Sequence, residues 1–93
     1  MSAAIQKAFT ADGQSSTVDW SGGAGTVVAW GSDFGSGTIK LQMSPDAGTT
    51  WIDTGISFTA NGVERFALEP GVDLRFDLSG STSPTVSAQL FPT

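Results

Sequence analysis

The chain has no cysteine, no histidine and no tyrosine, and only four cationic side chains among its 93 residues. Each absence removes a class of function. Without cysteine, neither a disulfide framework nor a thiolate metal site can compensate for a small core. Without histidine, the commonest general base and the commonest transition-metal ligand are missing. Lys7, Lys40, Arg65 and Arg75 stand against nine acids, for a net charge of −5. Contact with a phosphate backbone needs clustered Lys and Arg, so nucleic acid is not an expected partner. No apolar run nears the roughly 18 residues of a membrane-spanning helix. The opening "MSAAIQKAFT" also lacks a basic stretch followed by an apolar core. The expectation is a soluble chain with no membrane partner and no secretion signal.

What is present points to one all-β domain over residues 1–93, because a chain this short cannot support two cores. Twelve glycines and turn-type clusters recurring every 8 to 12 residues or so punctuate runs rich in Val and Thr. In "VDLRFDL", Val72, Leu74, Phe76 and Leu78 alternate with Asp73, Arg75 and Asp77, the pattern of a strand buried on one face. "TIKLQM" repeats it with Ile39, Leu41 and Met43, and "TVSAQL" with Val86, Ala88 and Leu90. "VERFAL" alternates more weakly through Phe66 and Leu68. "TVVAW" is apolar on both sides, as expected for a strand covered on both faces or facing a neighbouring subunit, and "AIQKAF" and "STVDW" read as edge strands. Asn61 and Gly62 in "TANGV" predict a type I′ hairpin turn. Seven or eight strands of this kind need two packed layers, so the expected fold is an antiparallel two-sheet sandwich, jelly-roll-like.

Ser44, Asp46, Gly48, Thr50 and Trp51 lie within "SPDAGTTW" and match the S-x-D-x-G-x-T-W pattern of the Asp-box, a β-hairpin motif best known from sialidase-like propellers. The spacing has a physical reading of its own. Asp46 can accept hydrogen bonds from backbone N–H groups of its own turn, Gly48 can supply a left-handed position, and Trp51 is expected to anchor the returning strand by burying its ring. A propeller sialidase would repeat the motif and use a tyrosine nucleophile and an arginine cluster; this chain has one copy, no Tyr and two arginines. The motif is therefore expected to be structural, and no residue is assigned a catalytic role.

Other candidates are weaker. Asp12 beside Gly13, Asp33 near Gly35, and the pair Asp73 and Asp77 could be imagined as cation ligands, but Ca²⁺ takes six to eight oxygens and no loop here holds more than one acid. No metal and no cofactor is expected. Trp20 and Trp30 could form a platform for a sugar ring, although tryptophans at inward strand positions are more often core.

From Gly37 onward the chain resembles small β-sandwich proteins of tailed bacteriophages. The carrying segments are "GTIKLQMSPDAGTTWIDTG" and "FTANGVERFALEPGVDLRFDLSGSTSPTVSAQL", more than half of the chain. They pair an Asp-box hairpin with a later strand of the form "LRFDLSG", Leu74 to Gly80; Ala47 stands where glycine is commoner. The resemblance implies a virion structural protein without enzymatic activity, a decoration (cement) protein on the capsid exterior that binds the major capsid protein. A tail or fibre adaptor, or a carbohydrate-binding module, are the alternatives. Apolar surface in "TVVAW", with Phe34 and Phe91, exceeds what two short sheets should cover and marks a subunit interface, and the three-fold sites of the capsid that the resemblance implies make a homotrimer the expected assembly. Lys7, Phe9, Trp30, Phe34 and Phe91 are the expected interface residues, with "MSAAIQKAF" free to reach the shell or a neighbour.

Overall fold

The computed structural model describes residues 4–92. Its strands are β1 (Ile5–Phe9), β2 (Gly13–Gln14), β3 (Val18–Trp20), β4 (Gly23–Asp33), β5 (Thr38–Ser44), β6 (Ile52–Phe58), β7 (Gly62–Leu68), β8 (Val72–Ser79) and β9 (Thr85–Pro92). Four form a first sheet in the order β1-β9-β4-β7. The rest form a second sheet, β2-β8-β5-β6, with β3 also on the outer side of β8. All pairings are antiparallel. Because β2 and β3 share one edge, nine strands occupy eight positions, and the order is that of a jelly roll.

The shared edge breaks at Ser15 for a visible reason. Ser15 N–H donates to the Phe76 carbonyl at 2.9 Å, while its hydroxyl accepts from Phe76 N–H at 2.9 Å and donates to the Ser16 carbonyl. A side chain thus takes the place of a ladder carbonyl, and Phe76 keeps both backbone partners.

The alternation read from the sequence sets the core. Ile39, Leu41, Leu74, Phe76 and Leu78 of the second sheet face Val27, Ala29, Val86, Ala88 and Leu90 of the first, all buried. Trp20 closes one end, 3% exposed, with its ring 5.0 Å from that of Phe66. Gly25 makes that pair possible, since a Cβ there would lie 2.6 Å from the Phe66 ring and 2.9 Å from Trp20. "TVVAW" is the centre of the first sheet: Val27 and Ala29 point inward, Val28 and Trp30 outward. β1 and β3 are edge strands, as expected.

The type I′ hairpin at Asn61–Gly62 does not exist. β6 and β7 belong to different sheets, and neither residue has positive φ. Gly62 is instead required by a close approach, because a Cβ would meet the Phe58 ring at 2.9 Å. Asn61 turns its side chain back, Oδ1 accepting from Gly31 N–H at 2.9 Å.

Each sheet edge carries a feature that opposes strand addition. On β1, Lys7 pairs with Ala88 and so sits on the inner face; on β7, Glu64 pairs with buried Val27 and does the same. Inward-pointing charges at edges block a second chain from completing the sheet. On β6 the register shifts between Lys40 and Gln42, and Gly55 at φ 95° lies in the looped-out stretch. The fourth edge is the broken β2/β3 line.

Ser15→Ala leaves the buried Phe76 N–H without its acceptor, and is expected to cost about 1–3 kcal/mol in urea unfolding. A midpoint equal to that of the wild type would show that the hydroxyl is dispensable.

Candidate functional site

The Asp-box forms the β5–β6 turn. Ser44 ends β5 fully buried, although its parity places it on the outer face, because the turn folds over it. Its Oγ accepts from Gly48 N–H at 2.8 Å and donates to Asp46 Oδ1 at 2.8 Å; the same Oδ1 accepts from Thr50 N–H at 2.7 Å. Ala47 and Gly48 follow one another in the left-handed region, at φ 61° and 93°. Asp46 is thus held by its own turn, with the Thr50 N–H first and the Thr50 and Ser44 hydroxyls next in lowering its pKa below the ordinary 3.8. A carboxylate occupied in this way acts as a clamp on the turn.

Trp51 corrects an expectation. It is half-buried rather than a core anchor, and its ring lies on the outer face of the second sheet under the Arg75 guanidinium, 4.2 Å from Cζ to the ring centroid. On β6 it is Phe58 that is buried in the core, with Ile56 packed against it. Arg75 Nε donates to Gln42 Oε1 at 2.9 Å, Gln42 Nε2 to Asp53 Oδ1 at 2.9 Å, and Lys40 lies 3.4 Å from Asp53 Oδ2. Gln42 is the main cause holding the Asp53 carboxyl below its ordinary value, ahead of Lys40. Gln14 Nε2 donates to Asp77 Oδ1 at 2.6 Å. Asp19 and Asp73, directly opposite one another across β3 and β8, complete the charged face.

Three of the four acids considered as cation ligands have other partners, Asp77 through Gln14 as above. Asp12 accepts from Gly80 N–H, Ser81 N–H and the Ser81 hydroxyl, which leads the lowering of its pKa. Asp33 Oδ1 accepts from Gly35 N–H at 2.7 Å. Among the described residues, no three of His, Cys, Asp or Glu gather as a metal site would need.

The outer face of the first sheet is different in kind. Val63, 62% exposed, pairs with half-buried Val28; Trp30 is 41% exposed two residues along β4; Phe91 lies opposite Thr26. Among the described residues, Arg65 on the edge strand β7 and Asp33 at the end of β4 are the charges on this face. Of the expected interface residues, Trp30 and Phe91 lie here. Phe9 does not, being 2% exposed on the inner side, and Phe34 packs against the core. Lys7 sits at the β1 edge over the Phe9 ring. The first three positions of "MSAAIQKAF" lie outside the described residues. The sequence marked Asn61 only as a turn residue and did not single out Val63; Val63 follows a glycine in a weakly alternating run, and only knowledge of which strands pair places it beside Val28.

Beside Trp30 the face dips into a groove of about 360 Å³ between β1, β4 and the start of β9. No family model matches the chain, and no curated protein matches it.

Asp46 ionised favours the fold, since its folded pKa lies below 3.8. That contribution is complete above the unfolded value and is lost as pH falls through the folded one. Asp46→Ala is therefore expected to lower Tm at neutral pH, with the gap to wild type narrowing below pH 3.8. A gap independent of pH would remove the carboxylate from the account. Ala47→Gly relieves a left-handed Cβ, worth about 1–2 kcal/mol, against about 0.4–1 kcal/mol of added unfolded-chain entropy. Unfolding in urea is expected to show a gain of roughly 0.5–1 kcal/mol; a loss would show that the Ala47 methyl makes a compensating contact.

Proposed function

We propose that the chain is a non-enzymatic virion structural protein, a decoration protein of a tailed-phage head that attaches to the major capsid protein on the capsid exterior and acts as a trimer. The observation that carries this reading is the unequal dressing of the two outer faces. One bears Asp19, Asp53, Asp73 and Asp77, of which Asp53 and Asp77 are held by Gln42, Lys40 and Gln14; the other presents Val28, Val63 and Phe91, with Arg65 on its β7 edge. A surface of that second kind suits contact with another protein, while the acidic side suits solvent. The blunted edges support face-on attachment over strand exchange.

Size bears on the oligomer. Four strands about 4.8 Å apart and some 25 Å long make a face of roughly 500 Å², less than the approximately 800 Å² per partner of a standard interface. One such contact is weak. Three copies joined on a platform of matching symmetry multiply it through effective concentration.

Val63→Asp adds a charge at an exposed position of the apolar face, so the fold should be unchanged by thermal melt. Binding to capsids that lack the protein should fall at least tenfold in a co-sedimentation assay. Wild-type protein that never binds such capsids, yet binds purified tails, would replace the head reading with a tail or fibre adaptor.

A further inference from the structure

The groove beside Trp30 has a composition that the apolar face around it does not. Thr10, Ser32, Asn61, Thr85 and Ser87 contribute hydroxyls and an amide, Trp30 contributes a ring, and none of the lining residues is ionisable. Its floor is built by three features. β4 and β9 shift register between Gly31 and Asp33, so Ser32 has no partner across the ladder. Gly31 carries no side chain because a Cβ would lie 2.2 Å from the Thr85 carbonyl oxygen. Asn61 Oδ1 accepts from Gly31 N–H at 2.9 Å, which fixes the amide so that its NH₂ is the group left to donate outward.

We propose that this groove binds a neutral saccharide, one pyranose ring packing its C–H face on Trp30 while its hydroxyls meet the Asn61 amide and the Ser and Thr side chains. The chemistry selects this class. An anion would need a Lys or Arg in the lining and a cation would need a carboxylate, and neither is there. A purely apolar ligand would bury five polar side chains without partners, at a cost that grows with each. A hydroxylated ring with one apolar face satisfies both halves of the lining. The contrast within the molecule is informative: a groove of similar size beside Pro70 is lined by Gly23, Ala67, Leu68 and Glu69 and has neither an exposed ring nor an amide. Of the three tryptophans, Trp20 is core and Trp51 lies under Arg75, which leaves Trp30 as the ring free to take a ligand. A single ring in an open groove makes few contacts, so affinity on the order of millimolar is expected. Because Trp30 lies on the face proposed to meet the capsid, the site is tested on the free chain.

The test is an ¹H–¹⁵N NMR titration of the full chain with methyl glucoside, methyl galactoside, methyl mannoside, N-acetylglucosamine and a linear oligomer of each. Saturable shifts are expected for at least one, confined to residues 8–10, 30–32, 61 and 85–87 and including the Asn61 side-chain NH₂ and the Trp30 indole. Trp30→Ala should weaken that binding at least tenfold with an unchanged melt, and Trp30→Phe should restore part of it. Three results would overturn the proposal: no saturable shift with any of these sugars up to about 50 mM, well past the affinity expected; shifts that map to Trp51 and Arg75 instead; or concentration-dependent broadening of the same residues without sugar that Trp30→Ala abolishes, which would assign the groove to a second copy of the chain.

Discussion

The chain must cross repeatedly between two sheets, and nearly everything else in the structure follows from that. Only the β5–β6 connection returns within a sheet to pair with the strand it left; β2 and β3 continue along one edge, and every other turn spans the gap of about 10 Å between layers. A crossing turn cannot be stabilised by a ladder closing behind it. The side chains of Asp12, Asp33 and Asn61 take over that work, each accepting backbone N–H groups within or across a turn. The Asp-box sits at the one true hairpin, where Ser44 and Asp46 hold a left-handed pair that includes an alanine.

This explains which parts of the fold were legible in the sequence. The period-2 runs named the inward residues of β5, β8 and β9 correctly, because burial on one face leaves an unambiguous alternation. The turn residues marked where the chain bends and not where it goes. Asn-Gly reads as a hairpin whenever the next strand is assumed to be the neighbour. Here Asn61 bonds a strand thirty residues earlier and Gly62 yields to the Phe58 ring, so the same dipeptide serves a crossing. Trp51 was misplaced by a similar assumption, that a large ring after a turn goes inward. Arg75 on the outer face supplies a second place for the ring, where a cation over the indole offsets partial exposure.

The candidate surfaces were less legible still, for a topological reason. Whether Lys7 or Glu64 is an ordinary surface charge or an inward charge on an edge depends on which strands lie beside them, and the partners of β1 and β7 are far away in sequence. Trp30 could be named as an aromatic of interest, but the groove beside it needs β1, β4, β9 and the residue before β7 together. Phe9 and Phe34 looked equivalent to Trp30 in composition and differ only in which side of the sandwich they meet.

The blunted edges constrain any assembly more than the apolar face invites it. With charges or irregularities on all four, a second copy or another protein cannot lengthen either sheet, so main-chain hydrogen bonding, the usual source of strength in β–β association, is closed off. The proposed contact would then rest on side chains of one outer face, whose area is small. Because the opposite face carries Asp19, Asp53, Asp73 and Asp77, inverting the domain against a partner would set four acids where Val28, Val63 and Phe91 would otherwise lie. In the proposed attachment, charge would therefore contribute little attraction and much orientation: it would leave one way up for the sandwich, with the apolar side chains supplying the affinity of that pose.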